Sequence, residues 1–180
     1  MNADNITDVQ TQVSGAMYVA PSGTTLPTDA STALGAAFKQ LGYAHKDGLV
    51  IKENRDTVQW DTWEADDVKR VSNAHSVDIS FKTVEPFCED AAKLMFGASN
   101  VDVDNGKVTG IHVNGADLDE VVLVAEMLLR DGTKMRAIAG RFQVTDPGEL
   151  DLKRGEMLAP EIKGAALGGA GTDKVTYYFA

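Results

Sequence analysis

The chain has 180 residues, of which 43% are hydrophobic and 24% charged, and it carries a formal net charge of −10 at pH 7. This length suits one domain with a buried core, and so acidic a surface argues against sequence-independent nucleic-acid binding, although not against DNA as a passing cargo. The single cysteine, Cys88, excludes an intrachain disulfide, and without a signal pattern or a membrane-length apolar run we expect no membrane partner.

The first 14 residues are predicted to form an N-terminal arm, and residues 15–180 a single folded domain. The large aliphatic residues of the arm are Ile6, Val9 and Val13, which are too few for the segment to fold by itself. Two interpretations stay open: a frayed terminus, or an arm that becomes ordered on a neighbouring subunit.

The segment after the arm combines short strand patterns with loops. Residues 17–20 are predicted to form a strand, and residues 21–29, which contain Gly and Pro, a loop. Residues 31–41 fit either a helix or a strand that begins at about Phe38. The Asp-Gly pair at 47–48 predicts a tight hairpin turn, because these residues tolerate the positive φ angles that the turn needs.

An acidic stretch, residues 53–67, holds both tryptophans of the chain. If the stretch is a strand, Val58, Trp60 and Thr62 share one face and Trp60 belongs to the core. If it is a loop, Trp60 and Trp63 are anchors for a partner, because tryptophan is enriched at interface hot spots. Both interpretations stay open.

The middle of the chain holds a clear strand pattern and a clear helix pattern. Apolar and polar residues alternate over residues 76–82, which predicts a half-buried strand. A helix is predicted over residues 86–96, because Pro86 suits the first helical position and Gly97 can adopt the left-handed conformation that ends a helix.

Turn dipeptides separate the remaining predicted strands. The Asn-Gly pair at 105–106 lies between apolar stretches, and the Asp-Gly pair at 131–132 joins residues 121–129 to residues 135–144. Residues 175–179 are predicted to form a terminal strand. Many short strands, frequent turns and one helix favour a mainly β fold: a β-sandwich or barrel of antiparallel strands with one flanking α-helix.

The residues that most often carry chemistry have no catalytic or ligand spacing. Cys88 is interpreted as a buried structural thiol, since Glu89 and Asp90 oppose a thiolate. Residues 164–171 lack the Lys and Ser/Thr of a phosphate-binding loop and are interpreted as a mobile loop. The histidines are interpreted as solvated or locally bonded; they are His45, His75 and His112. We therefore predict no catalytic, metal-binding or cofactor-binding residue, no cofactor and no enzymatic activity.

Four segments, in chain order, carry a family likeness. They are GAMYVAPSGTTLPTD at 15–29, LGYAHKDGL at 41–49, DVKRV followed by SVDISF within 67–81, and GELDLKRGE at 148–156. In this order they resemble segments of the tail tube proteins (major tail proteins) of long-tailed bacteriophages, especially those that infect actinobacteria. The resemblance spans most of the chain.

The resemblance implies a phage tail tube fold, in which a β-sandwich with a flanking helix closes into hexameric rings that stack into a tube. It also favours the strand from about Phe38. The implied role is a structural virion protein of the phage tail, made in the host cytoplasm, that conducts DNA during ejection. The implied partners are other copies of the chain, the tape measure protein, the tail terminator and the distal tail proteins, with genomic DNA as a transient cargo that is not specifically bound.

Six residues are candidates for the subunit interface. They are Ile6, Val9, Val13, Tyr18, Trp60 and Trp63.

Other functions are compatible with the same pattern. The nearest are another virion component or the tube protein of a contractile injection device. A ligand-binding β-sandwich module would predict a stable monomer with a ligand groove. A small hydrolase would need converging His, Ser and carboxylate groups, and no spacing suggests them.

Overall fold

The computed structural model describes residues 8–11, 16–64, 68–168 and 173–180. The described strands are β1 (Val9–Thr11), β2 (Met17–Pro21), β3 (Lys39–Gln40), β4 (Ala44–Trp60), β5 (Lys69–Thr83), β6 (Val101–Asp104), β7 (Lys107–Ile111), β8 (Val121–Leu129), β9 (Lys134–Asp146), β10 (Glu161–Ala166) and β11 (Thr176–Phe179). The described helical elements are α1 (Glu89–Phe96) and a 3-10 turn at Ala98–Asn100.

Nine of the described strands form one antiparallel sheet in the order β3-β2-β8-β9-β10-β5-β4, with β1 added to β8 and β11 added to β9. Strand β3, which was expected from about Phe38, is only two residues long. Strands β6 and β7 form a separate hairpin. The prediction of a mainly β fold, with antiparallel strands and a flanking helix, is confirmed.

One face of the sheet shares the main hydrophobic core with the helix. Phe81, Phe142 and Ile162 are buried on three neighbouring strands, together with Leu94 and Met95 of α1. Burial of apolar side chains is the dominant favourable term in folding. A helix of eight residues is marginal by itself, so this packing is what holds α1 in place.

The opposite face of the sheet carries a smaller core. Val122 and Val124 of β8 and Ile138 of β9 are buried there, and Leu34 and Phe38 from the segment between β2 and β3 pack against them. The central strands β8 and β9 are therefore covered on both faces. This explains why β8 is an almost continuous apolar run rather than an alternating one.

A buried arginine attaches that covering segment to the sheet. Arg136 of β9 is 3% exposed, and its guanidinium donates to the carbonyl oxygens of Asp29 at 2.6 Å and Thr32 at 2.8 Å. Its Nε also donates to the carboxylate of Glu126 on β8 at 3.0 Å, so the buried charge is paired. The backbone N–H groups of Thr32 and Ser31 hold the pKa of the Asp29 carboxyl well below its usual range.

Two predicted hairpin turns are confirmed. Asn105 and Gly106 have φ angles of 49° and 74° between β6 and β7, as a type I′ turn requires. Asp131 and Gly132 lie in the connection between β8 and β9, and Gly132 has a φ of 88°.

The hairpin predicted at the Asp-Gly pair 47–48 is wrong. Both residues lie inside β4, and the pairing of β4 with β5 shifts register between Ala44 and Leu49. Gly48 has a φ of 74°, so its conformational freedom serves a bulge within one strand. The chain reverses later, between Trp60 and the start of β5.

The interpretation of residues 164–171 as a mobile loop is wrong for 164–166, which belong to β10 between β5 and β9. Residues 169–171 lie outside the described residues. A Cβ at Gly164 would lie 2.5 Å from the carbonyl oxygen of Gln143 and would meet the ring of Phe142. Glycine is required here because a neighbouring strand approaches closely.

The predicted helix over residues 86–96 begins three residues later than expected, at Glu89. Cys88 has extended backbone angles and occupies the N-cap position. Pro86 therefore lies in the turn before the helix, where its missing N–H is tolerated. Gly97 follows the helix with a positive φ of 89° but a ψ of 139°, so it ends the helix in an extended conformation that favours glycine rather than in the predicted left-handed one.

We expect Gly164→Ala to lower the free energy of unfolding by about 1–3 kcal/mol, because the added methyl overpacks the contact with Phe142 and Gln143. Urea unfolding of the unassembled protein measures this change. Gly35→Ala is the matched control, because a Cβ at Gly35 meets nothing within 4 Å. Equal stability of the two variants would contradict the packing explanation.

We expect Arg136→Met to lower the free energy of unfolding by about 3 kcal/mol, because it leaves the Glu126 carboxylate buried without its partner. The double variant with Glu126→Met replaces the whole ion pair by apolar side chains and should recover most of the loss. Chemical unfolding of both variants checks this. A double variant no more stable than Arg136→Met would show that the lost contacts to the covering segment dominate instead.

Candidate assembly surfaces

Each of the three histidines is bonded to a carboxylate near it. The pairs are His45 Nδ1 with Asp47 (3.1 Å), His75 Nε2 with Glu53 (3.0 Å) and His112 Nε2 with Asp102 (2.9 Å). The interpretation of the histidines as locally bonded is confirmed. Within the described ranges, no group of three or more His, Cys, Asp or Glu side chains is arranged to hold a metal ion.

The thiol of Cys88 is half-buried immediately before α1. Burial raises its pKa, and the carboxylates of Glu85 and Asp90 oppose the thiolate further. A reactive cysteine needs the reverse environment, one that lowers the pKa. The thiol therefore fits the structural role expected for it.

The largest exposed feature is a hairpin extension, defined here as residues 54–60 of β4, residues 69–76 of β5 and their connection. Strand β10 covers β5 only as far as the pair Ala166 and Val77. Beyond that point β4 and β5 continue as a two-stranded ribbon, with nearly every described residue exposed on both faces. A two-stranded ribbon is marginally stable in water unless something packs against it.

Both tryptophans lie at the free end of this hairpin extension. Trp60 is the last residue of β4 and is 57% exposed, and Trp63 in the connection is fully exposed. Residues 53–60 are strand, so the loop interpretation of that part is wrong. The core interpretation of Trp60 is wrong as well, because β10 ends before this part of the ribbon and no described element covers the ring.

Polar contacts hold the hairpin extension together. The Asn54 amide donates to the Asp78 carboxylate at 2.6 Å across the two strands. The Lys69 ammonium lies 6.0 Å from the centre of the Trp60 ring, a cation–π distance. These contacts fix the direction of the ribbon but bury little apolar surface. Its tryptophans therefore remain available to a partner.

Strand β4 is also a long open edge of the sheet. It has 17 residues, and among the described strands only β5 pairs with it. Its outer backbone N–H and C=O groups form a template for another strand. The sequence does not reveal this edge, because the Asp-Gly pair at 47–48 predicts a turn that would divide the strand.

A second exposed apolar surface is the tail-end loop, defined as residues 147–160 between β9 and β10. Leu152 is 78% and Met157 69% exposed. Arg154 in this loop is exposed and has no ion-pair partner among the described residues, whereas Lys153 pairs with Asp151. In the sequence this segment shows only a family likeness, and no local pattern distinguishes these side chains.

The other candidate interface residues are dispersed. Val9 lies in β1 opposite Leu129 of β8 and is exposed. Tyr18 on β2 is half-buried against the smaller core, so much of its surface is used within the domain. Ile6 and Val13 lie outside the described residues. Among the four candidates that lie in described residues, the two tryptophans are the ones on a common exposed segment.

An open strand edge and an aromatic ribbon are features of a subunit that assembles with other chains. In the part of the chain that the structure describes, no helix is long and apolar enough to cross a membrane.

Comparison with family models matches residues 1–179 to the phage tail tube protein family. The match spans almost the whole chain, and the chain belongs to this family. It is a structural protein of the phage virion that assembles into the tail tube, and it is not an enzyme. No curated protein matches the chain.

Proposed function

We propose that the protein forms hexameric rings that stack into the tail tube of a long-tailed bacteriophage of the actinobacterial type, and that DNA passes through this tube into the host. Assembly takes place in the host cytoplasm around the tape measure protein and ends at the tail terminator and distal tail proteins. Membership of the tail tube family supports the tube. The observation that carries ring formation is the open edge of β4.

The first and last strands of the sheet path, β3 and β4, lie at its two opposite edges. When the β4 edge of one subunit meets the β3 edge of a second subunit, the contact joins two different surfaces. Such a contact closes into a ring when the rotation between neighbours allows it. Pairing the edges in this way satisfies backbone groups that are otherwise open to unwanted association.

The proposed bore wall carries negative or neutral charge, because basic residues facing DNA would bind phosphate and slow its passage. Two of the three basic side chains of β9, Arg141 and Arg136, are compatible with such a wall because each is paired with a carboxylate, whereas Lys134 is exposed. Arg141 donates two hydrogen bonds of 2.8 Å to Glu120, and this contact lowers the pKa of the Glu120 carboxyl. Arg136 is buried with Glu126. Because the centre of the β8–β9 hairpin is covered on both faces, this hairpin can contribute to the bore only at its exposed positions, such as Arg141; residues 76–82 of β5 are the other candidate.

Electron microscopy of the purified protein tests the proposal. We expect rings or tubes at high protein concentration, because the proposed ring contact joins two surfaces of the same chain, and we expect six subunits per ring, as the family resemblance implies. Light scattering over a wide concentration range gives the independent measurement. A strictly monomeric profile without tubes would contradict the proposal and favour a ligand-binding module. A reconstruction with a bore lined mainly by unpaired Lys and Arg would contradict the proposed charge of the wall.

The N-terminal arm is a separate element of the proposal, with residues 15–180 as the folded domain. We expect deletion of residues 1–14 to leave the domain folded but to block polymerisation. The described part of the arm adds only the three-residue strand β1 to the domain, whereas its apolar residues suit a neighbouring subunit. Circular dichroism checks the fold, and microscopy checks the assembly. Normal tubes from the deletion variant would refute this role.

A further inference from the structure

The free end of the hairpin extension and the tail-end loop lie at opposite ends of the sheet. Glu161, which follows the loop, pairs with Lys82 near the end of β5, whereas Trp60 pairs with Lys69 at its beginning. At about 3.3 Å per residue, these two levels of β5 are separated by roughly 40 Å. The two surfaces cannot meet within one subunit.

We propose that the hairpin extension of one subunit docks head to tail on a second copy of the chain, with Trp60 and Trp63 packing on Leu152 and Met157 of its tail-end loop. This inference rests on the proposed tube and assigns the contact between successive rings. The hairpin extension reaches about 25 Å beyond the end of β10, so it spans the space toward the next subunit along the strand direction.

Exposed apolar side chains supply the matching chemistry. Single exposed apolar residues are ordinary on a protein surface, but two neighbouring tryptophans at the end of an unsupported ribbon are not. Leu152 and Met157 are the most exposed large apolar residues of the tail-end loop. An unbranched methionine beside a leucine adapts readily to an aromatic ring. Docking would bury the two tryptophans and these two side chains against each other.

Charge favours this partner over a symmetric contact between two ribbon ends. The end of the ribbon, residues 60–70, contains four carboxylates and two cations, so two such ends, each net negative, would repel each other at close range. The tail-end loop is less acidic, with three carboxylates and two cations, and its Arg154 is exposed and lacks an ion-pair partner among the described residues. The guanidinium can therefore meet the carboxylates of the docked ribbon.

The arrangement of the two surfaces also determines the kind of assembly. A symmetric contact uses the same patch twice and stops at a dimer. Here each subunit has one hairpin extension, the donor end, and one tail-end loop, the acceptor end, at opposite ends of the sheet. Every docked subunit leaves a new donor and a new acceptor exposed, so growth continues along the strand direction.

Disulfide crosslinking between two single-cysteine proteins tests the contact directly. In a Cys88→Ser background, Glu64→Cys places a thiol beside Trp63, and Glu156→Cys places one beside Met157, so that all four packing residues are kept. One protein carries a tag that changes its size. After co-assembly and mild oxidation, we expect a mixed disulfide dimer on a denaturing gel. Glu64→Cys with Lys107→Cys, an exposed position on the separate β6–β7 hairpin, is the control and should give none.

Other outcomes of this experiment overturn the inference. Crosslinking of Glu64→Cys with itself would indicate contact between two ribbon ends. Tubes without the mixed dimer would refute the docking but leave the proposed tube intact. If the unmodified protein forms no assembly at all, both proposals fail.

Variants of Trp63 provide a second measurement. We expect Trp63→Ala to raise the protein concentration needed for tubes at least ten-fold while single rings still form, and Trp63→Phe to recover most of the loss because it keeps an aromatic ring. Trp63 is fully exposed in the subunit, so its truncation should leave the unfolding midpoint unchanged. The proposal would be overturned if Trp63→Ala formed tubes at the same protein concentration as the unmodified protein.

Discussion

The pairing of β8 with β9 is the constraint on which the rest of the domain depends. In this hairpin Leu123 lies opposite Ala139 and Val124 opposite Ile138, and all four are buried. Because both faces are apolar, each needs its own cover. The helix and its neighbours cover one face, and the segment attached by Arg136 covers the other. The remaining strands extend outward from this centre.

The edge of the sheet at β4, in contrast, lacks such cover. Strand β4 has a neighbour on one edge only, and its distal half has no described cover on either face. Apolar side chains near β8 and β9 thus stabilise the subunit, whereas those near Trp60 stay exposed in it, where the proposed assembly would use them. Substitutions at the two places should accordingly affect different measurements, unfolding in one case and assembly in the other.

Local patterns predicted the turns and the fold class, since a type I′ turn depends on the two residues that form it. They failed where contacts with distant parts of the chain determine the local conformation. The Asp-Gly pair at 47–48 has the same local preferences in a bulge as in a turn, and only its pairing with β5 distinguishes them. Gly164 resembles a loop residue until Phe142 is placed beside it. Likewise, the sequence left Trp60 open as a core residue or an interface residue, and the extent of β10 excludes the core.

The β6–β7 hairpin has a practical consequence. It is a separate two-stranded sheet and is not paired with the large one. Its turn residues Asn105 and Gly106 are exposed, and a Cβ at Gly106 would meet nothing within 4 Å. Exposed turns of this kind accept insertions with little effect on the domain that carries them. A foreign peptide placed there would be repeated once per subunit, which makes this turn a place to display sequences along a self-assembled fibre.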